Sequence, residues 1–114
     1  MKDTLFLLAP GFHDGDGAPY YCPHCTIFEG LVHLFPQVSA CVEVRRVAFP
    51  RPRPEIVALL DAEHQSCPVL VLGESSGDPS GNIEIKRVGK ARFIDDPEAI
   101  GNYLSAVCGI PRPH

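Results

Sequence analysis

Hydrophobic and polar residues are distributed along the chain in a way that predicts several strands. The short apolar run at residues 4–9, TLFLLA, predicts a buried strand. Residues 41–49, CVEVRRVAF, have strand composition with a break in their alternation, which indicates a bulge or an edge strand. Residues 68–72, PVLVL, are apolar throughout, as is typical of a central strand buried on both faces. Residues 82–88, NIEIKRV, alternate and continue through Gly-Lys into ARFI, which predicts a hairpin.

Between these runs, three segments carry apolar residues at helical spacing. The first begins at or near Cys22, where Pro23 suits the first turn, and it ends before Pro36. A core-facing stripe is expected on it, formed by Ile27, Phe28, Leu31, Val32 and Phe35. Pro54 opens a second helix over residues 54–65, whose inward face consists of Ile56, Leu59 and Leu60.

The third helix has the clearest boundaries. Asp96 is a good N-cap, Pro97 fits the first helical position, and Gly109 is a suitable stop. Its predicted inner face consists of Ile100, Tyr103, Leu104 and Val107. The element order is therefore β-α-β-α-β-β-α, an α/β fold with a four-stranded mixed sheet and helices on both faces. Alternating strands and helices predict one parallel pair with a right-handed crossover, and the hairpin adds antiparallel strands.

Length and charge restrict the class of protein. At 114 residues the chain is expected to form a single domain spanning residues 1–114. Lys and Arg total 10 against 14 acidic residues, for a net charge of -4, so no nucleic-acid partner is expected. A short basic cluster interrupted by prolines is interpreted as a solvated face; it comprises Arg45, Arg46, Arg51 and Arg53. The first apolar run is too short to span a membrane, which favours a cytoplasmic protein with no membrane partner.

The five cysteines are the main candidates for chemistry. A reducing compartment and an odd number of thiols both argue against a structural disulfide framework. Cys41 and Cys108, at a strand edge and a helix end, are expected to be bystanders. Cys22 and Cys25 differ from them, because they lie one helical turn apart at a helix start that follows a strand and a long loop.

The positions of this pair have a direct chemical consequence. Unpaired N–H groups and the dipole at a helix start favour the Cys22 thiolate, which is the nucleophile in thiol chemistry. Cys25 lies on the same face and is placed to resolve a mixed disulfide, and a charged His24 would further stabilise the thiolate. The alternative is that both cysteines simply pack as small apolar side chains.

These motifs resemble a known group of proteins. A first strand, CPHC at a helix start, and Ser66-Cys67-Pro68 opening the third strand resemble the thioredoxin superfamily in its small, glutaredoxin-like form. CPHC is also similar to the active-site sequence of periplasmic disulfide-forming enzymes of the DsbA type. The strings KDTLFLL, YYCPHC, PRPRPEIVALL and PVLVL look like an uncharacterised bacterial family known only as a domain of unknown function.

The resemblance implies further site residues. It predicts a cis bond before Pro68 and places Cys67 against Cys22. Three convergent sulfurs suit zinc or an iron–sulfur cluster, with either His24 as a fourth donor or the cluster shared across a dimer. Cys67 is equally explained as a small residue packed at a strand start. The resemblance also places glutathione at Asp95 or Asp96, whereas a simpler interpretation makes Asp96 only an N-cap.

The predicted function is thiol–disulfide exchange with Cys22 as nucleophile, Cys25 as resolving thiol, His24 as tuner and Pro68 beside them. No cofactor is required, glutathione is a possible ligand, and the expected partners are protein or glutathione disulfides. Two alternatives stay open. One is a metal or iron–sulfur module that uses Cys22, Cys25 and Cys67, and the other is a catalytically silent binding module with the same fold.

Overall fold

The architecture comes from a computed structural model that describes residues 1–79 and 81–114. Strands and helices alternate through the first half of the chain, and a hairpin precedes the last helix. In chain order the elements are β1 Thr4–Leu8, α1 Pro23–Leu34, α2 Gln37–Cys41, β2 Glu43–Val47, α3 Pro54–Leu59, β3 Val69–Val71, β4 Lys86–Val88, β5 Ala91–Ile94 and α4 Pro97–Cys108. In the described ranges, no helix is long and apolar enough to cross a bilayer.

The sheet is mixed and has the strand order β2-β1-β3-β5-β4. β1 and β2 are parallel, as the sequence predicts, while β3, β5 and β4 join as antiparallel neighbours. The prediction of four strands is wrong, because the sheet that the described residues form has five. Both arms of the predicted hairpin pair within the sheet, and they add to the three strands that precede them.

The core lies on both sides of the central strands. All five residues of β1 and all three of β3 are buried, which confirms that the PVLVL run is a central strand covered on both faces. β2 lies at an edge, and the exposed side chains of Arg45 and Arg46 explain the broken alternation there. Helices α1, α2 and α4 pack against one another through α2.

Two boundaries differ from the prediction for local reasons. The strand expected over residues 41–49 is shorter, because residues 37–41 form the helix α2, which the sequence pattern did not reveal. The helix that starts at Pro54 ends at Leu59 rather than at residue 65. The Asp61 carboxylate accepts hydrogen bonds from the N–H groups of Glu63 (3.0 Å) and His64 (2.9 Å), and this side-chain turn replaces the next helical turn.

Some apolar side chains lie outside the core that their spacing predicts. Ile27 on α1 is 54% exposed and Val107 on α4 is 45% exposed, so each predicted stripe is narrower than expected. Ile83 and Ile85 are half-buried between exposed neighbours, which preserves the predicted alternation. Ladder pairing in β4 nevertheless starts only at Lys86.

Candidate active site

Cys22 lies where the loop after β1 enters α1. It is the N-cap of that helix, with extended backbone angles (φ -81°, ψ 116°), and Pro23 occupies the first helical turn. Pro23 suits this position because its missing N–H would have no partner there. The Cys22 Sγ accepts a hydrogen bond from the backbone N–H of Cys25 at 3.2 Å. The sulfur therefore takes the role that a Ser or Asp oxygen has in an ordinary N-cap, and this confirms the predicted helix start.

Cys25 is the inner member of the pair. Its side chain is 2% exposed, and its Sγ accepts a hydrogen bond from the Leu8 N–H at 3.4 Å, at the end of β1. Burial, with a smaller effect from the hydrogen bond to Cys22, raises the pKa of the Cys25 thiol to about 12. Cys25 therefore stays a neutral thiol at neutral pH. A cavity of about 320 Å³ opens onto the two cysteines.

Cys67 supplies a third sulfur near this pair. The Cys67–Pro68 peptide bond is cis, as predicted, and Cys67 is half-buried. Burial raises the pKa of the Cys67 thiol to about 11. The charge of Cys22 contributes to this rise in pKa, whereas the guanidinium groups of Arg53 and Arg51 oppose it. Cys67 therefore lies within electrostatic range of both Cys22 and two cations. Cys22, Cys25 and Cys67 are all free thiols.

The basic cluster contains one residue that is not solvated. Arg45 and Arg46 are exposed and pair with carboxylates, as expected for a solvated face. Arg53 is only 5% exposed, so the interpretation of the whole cluster as a solvated face is wrong for this residue. Its guanidinium donates to the carbonyl oxygens of Phe49 (3.0 and 2.7 Å) and Gln65 (2.6 Å), which hold it in the loop beside Cys67.

An aromatic stack connects Arg53 with the loop that leads to Cys22. The Arg53 guanidinium lies 5.5 Å from the centroid of the Phe49 ring. That ring stacks on Phe12 with centroids 4.4 Å apart, and Phe12 in turn lies 6.2 Å from Tyr20. Phe12 and Tyr20 also form a backbone bridge, so the loop before α1 is closed on itself. No periodic pattern in the sequence indicated this stack, because its members come from two separate loops.

The other predicted site residues are placed as follows. His24 is exposed and lines an apolar groove of about 550 Å³ between α1, α4 and the C-terminal residues. The Asp96 side chain accepts a hydrogen bond from the Ala99 N–H at 2.9 Å, which confirms its role as the N-cap of α4. Asp95 pairs with Lys86 at 3.0 Å. Both carboxylates thus have structural partners within the protein.

Cys41 and Cys108 form a disulfide, so the prediction that they are bystanders is wrong. Their Cα atoms are 5.7 Å apart, within the usual range for a disulfide, although the residues are separated by 67 positions in sequence. The bond joins the last residue of α2 to the last residue of α4. Sequence reasoning missed it because α2 was not predicted and the odd number of cysteines argued against pairing.

A metal site needs several ligating side chains close together. Within residues 1–79 and 81–114, no three His, Cys, Asp or Glu side chains are grouped so that they could hold a metal ion. The three free sulfurs differ in their surroundings. One sulfur is partly accessible at a helix start, a second is buried one turn behind it, and the third lies beside cations.

The fold and this site define a small mixed α/β domain that carries a dithiol motif at the start of its first helix. The chain belongs to the family described as "Protein of unknown function (DUF3088)", whose family profile matches residues 2–112. No curated protein and no solved structure matches the chain.

Proposed function

We propose that this protein is a thiol–disulfide exchange protein in which Cys22 is the nucleophile and Cys25 the resolving thiol. The observation that carries the proposal is the hydrogen bond from the Cys25 N–H to the Cys22 Sγ at the start of α1. An N–H donor at this position stabilises a thiolate more strongly than a neutral thiol. The more accessible sulfur of the pair, that of Cys22, is thus the one that accepts this hydrogen bond.

The proposed cycle has two balanced steps. The Cys22 thiolate attacks one sulfur of a substrate disulfide, so that a mixed disulfide forms and the other substrate sulfur leaves with the electron pair. Cys25 then loses its proton and attacks the Cys22 sulfur, which closes the Cys22–Cys25 disulfide and releases the second substrate thiol. Two electrons pass from the protein to the substrate, and the reverse sequence makes the protein an oxidant.

The proposed fold type is thioredoxin-like and glutaredoxin-like, with one additional edge strand. Its support is the parallel pair β1–β2, the antiparallel addition of β3 and β5, and the position of Cys22 at the start of the helix that follows β1. Protein or glutathione disulfides are the proposed partners. A glutathione site at Asp95 or Asp96 would have to form around carboxylates that already cap α4 and pair with Lys86.

The decisive experiment is a redox titration of the purified protein with mass-spectrometric mapping of its cysteines. We expect a two-electron transition that links Cys22 to Cys25, and turnover of insulin or of a glutathione mixed disulfide. The Cys22→Ser variant should lose turnover. The Cys41→Ser/Cys108→Ser variant serves as the control, because it removes sulfurs outside the pair without leaving an unpaired thiol. A reduced pair that never forms the Cys22–Cys25 bond at any potential would contradict the proposal and favour the silent binding module.

The metal-binding alternative is distinguished by Cys67. A carrier that uses Cys22, Cys25 and Cys67 should lose bound zinc or iron when Cys67 is replaced by Thr, because it loses one of about four ligands. An exchange protein with the same replacement keeps its complete dithiol and hence most of its turnover. Metal analysis of the protein purified without oxygen, before and after Cys67→Thr, separates the two.

A cytoplasmic location remains a prediction from the sequence. The Cys41–Cys108 disulfide is an observation against it, because disulfides persist mainly in oxidising compartments. Rapid alkylation of cells followed by mapping of Cys41 and Cys108 provides the test. Free thiols at both positions support the cytoplasm, and a formed bond argues for an oxidising compartment.

A further inference from the structure

We propose that Arg51 and Arg53 form a cationic subsite that binds an anionic group, a carboxylate in the first instance, of the disulfide that reacts at Cys22. This inference rests on the proposed function, and it adds the class of substrate: disulfides that carry a negative charge near the reacting sulfur.

Arg53 carries a buried positive charge. In the part of the chain that the structure describes, no carboxylate forms an ion pair with Arg53 or with Arg51. The guanidinium has five N–H donors, and three of them bond to the carbonyl oxygens of Phe49 and Gln65. A buried charge is costly unless it is paired. An anion next to it therefore gains more from Coulomb attraction than it would at an exposed ion pair.

The loop contacts place this charge at the candidate active site. Gln65, whose carbonyl oxygen accepts from Arg53 at 2.6 Å, is two residues before Cys67. On the other side, the Phe49 ring beneath the guanidinium stacks on Phe12 in the loop that leads to Cys22. Arg53 is thus held between the strand start that carries Cys67 and the loop that carries the nucleophile.

Arg51 extends the positive charge to the surface. Its side chain is exposed, and it lies two residues before Arg53 in the loop between β2 and α3. In agreement with this position, Arg51 and Arg53 both oppose the rise in the pKa of Cys67 that burial causes. Both guanidinium groups therefore produce a positive potential at a sulfur position beside Cys22. The protein as a whole has a net charge of -4, so this potential is a local property of the site and not a general attraction for anions.

The chemistry of the two side chains indicates the ligand. Guanidinium groups match the planar geometry of a carboxylate and bind it through paired N–H donors. The aromatic stack of Phe49 and Phe12 offers an adjacent apolar surface for the body of the ligand. A carboxylate-bearing disulfide can therefore place its charge on the exposed Arg51, attracted also by the buried charge of Arg53, while its sulfur reaches Cys22.

The test compares two small aromatic disulfides that differ in charge. Dithiobis(nitrobenzoate) carries carboxylates and dithiodipyridine is neutral at pH 7, and both release a coloured thiolate or thione. Cys22 attacks the disulfide, a Cys22–sulfur bond forms, and the leaving sulfur takes the electron pair. We expect Arg51→Gln to slow the anionic reagent roughly three- to tenfold, with little change for the neutral one. Arg51→Lys should restore much of the rate, and raised salt should slow only the anionic reaction.

The matched control is Arg87→Gln, which removes the same unit of charge. Arg87 lies on β4, at the edge of the sheet opposite β2. Its side chain is 58% exposed and pairs with Asp78. A ratio of anionic to neutral rates that is equal in the parent and Arg51→Gln proteins overturns the subsite and leaves the proposed function intact. Failure of both reagents to react at Cys22 in the parent protein overturns the proposed function and the subsite together, whereas failure of the anionic reagent alone overturns only the subsite.

Discussion

The Cys41–Cys108 disulfide should make a large contribution to the free energy of unfolding of this protein. It joins the ends of α2 and α4 across 67 positions of sequence. In the chain-entropy description, a closed loop of this length lowers the entropy of the unfolded state enough to contribute about 4 kcal/mol at 25 °C. For a chain of 114 residues, a loss of that size corresponds to a fall in Tm of roughly 15–20 °C.

The assay uses a variant in which the Cys41–Cys108 disulfide is the bond that reductant breaks. Cys22→Ser/Cys25→Ser protein keeps Cys41 and Cys108, so its thermal unfolding with and without dithiothreitol isolates their disulfide. Adding Cys41→Ser/Cys108→Ser to that background should reproduce the reduced protein and abolish the effect of the reductant. Equal Tm values for the oxidised and reduced background protein, with mass spectrometry showing the bond formed in the first, would refute the reasoning.

Three further predictions concern the thiols and the last helix. In reduced protein, iodoacetamide should modify Cys22 well before the buried Cys25, and equal labelling of the two would contradict the assigned positions. Burial raises the pKa of Cys25 to about 12 and that of Cys67 to about 11. As pH rises, both thiols therefore lose their protons at a lower pH in the unfolded protein than in the folded protein. The free energy of unfolding of reduced protein should therefore fall as pH rises from 9.0 towards 11, with a shallower slope in Cys25→Ala. Asp96→Ala should lower the free energy of unfolding, measured in urea, by about 1 kcal/mol. An unchanged urea midpoint would show that the Asp96 cap does not stabilise α4.

The features that the sequence predicts best are those determined within a few residues. Cys22 with Pro23, and Asp96 with Pro97, each mark a helix start, because the cap side chain and the proline act on the same helical turn. The apolar run at β3 is equally local. These local signals are sufficient to predict a dithiol at a helix N-terminus without any tertiary contact.

What the sequence did not reveal depends on contacts between distant segments. The burial of Arg53 is determined by carbonyl oxygens of Phe49 and Gln65, and no local pattern distinguishes it from the exposed Arg45 nearby. The Cys41–Cys108 pairing needs α2, a helix of five residues that is too short to show a period. Both features involve residues whose partners are separated in sequence and brought together only by the folded chain.

The burial of Cys25 and the charge of Cys22 together determine the order of events in the proposed cycle. While Cys22 is a thiolate, its negative charge and its hydrogen bond both help to keep the pKa of Cys25 high, in addition to the dominant effect of burial. Formation of a mixed disulfide at Cys22 removes that negative charge, so this electrostatic contribution disappears and the pKa of Cys25 falls. The Leu8 N–H, which lowers the pKa of Cys25, remains in place as a donor to the emerging thiolate. Cys25 thus becomes a better nucleophile at the step that requires it, and it is protected from external reagents before that step.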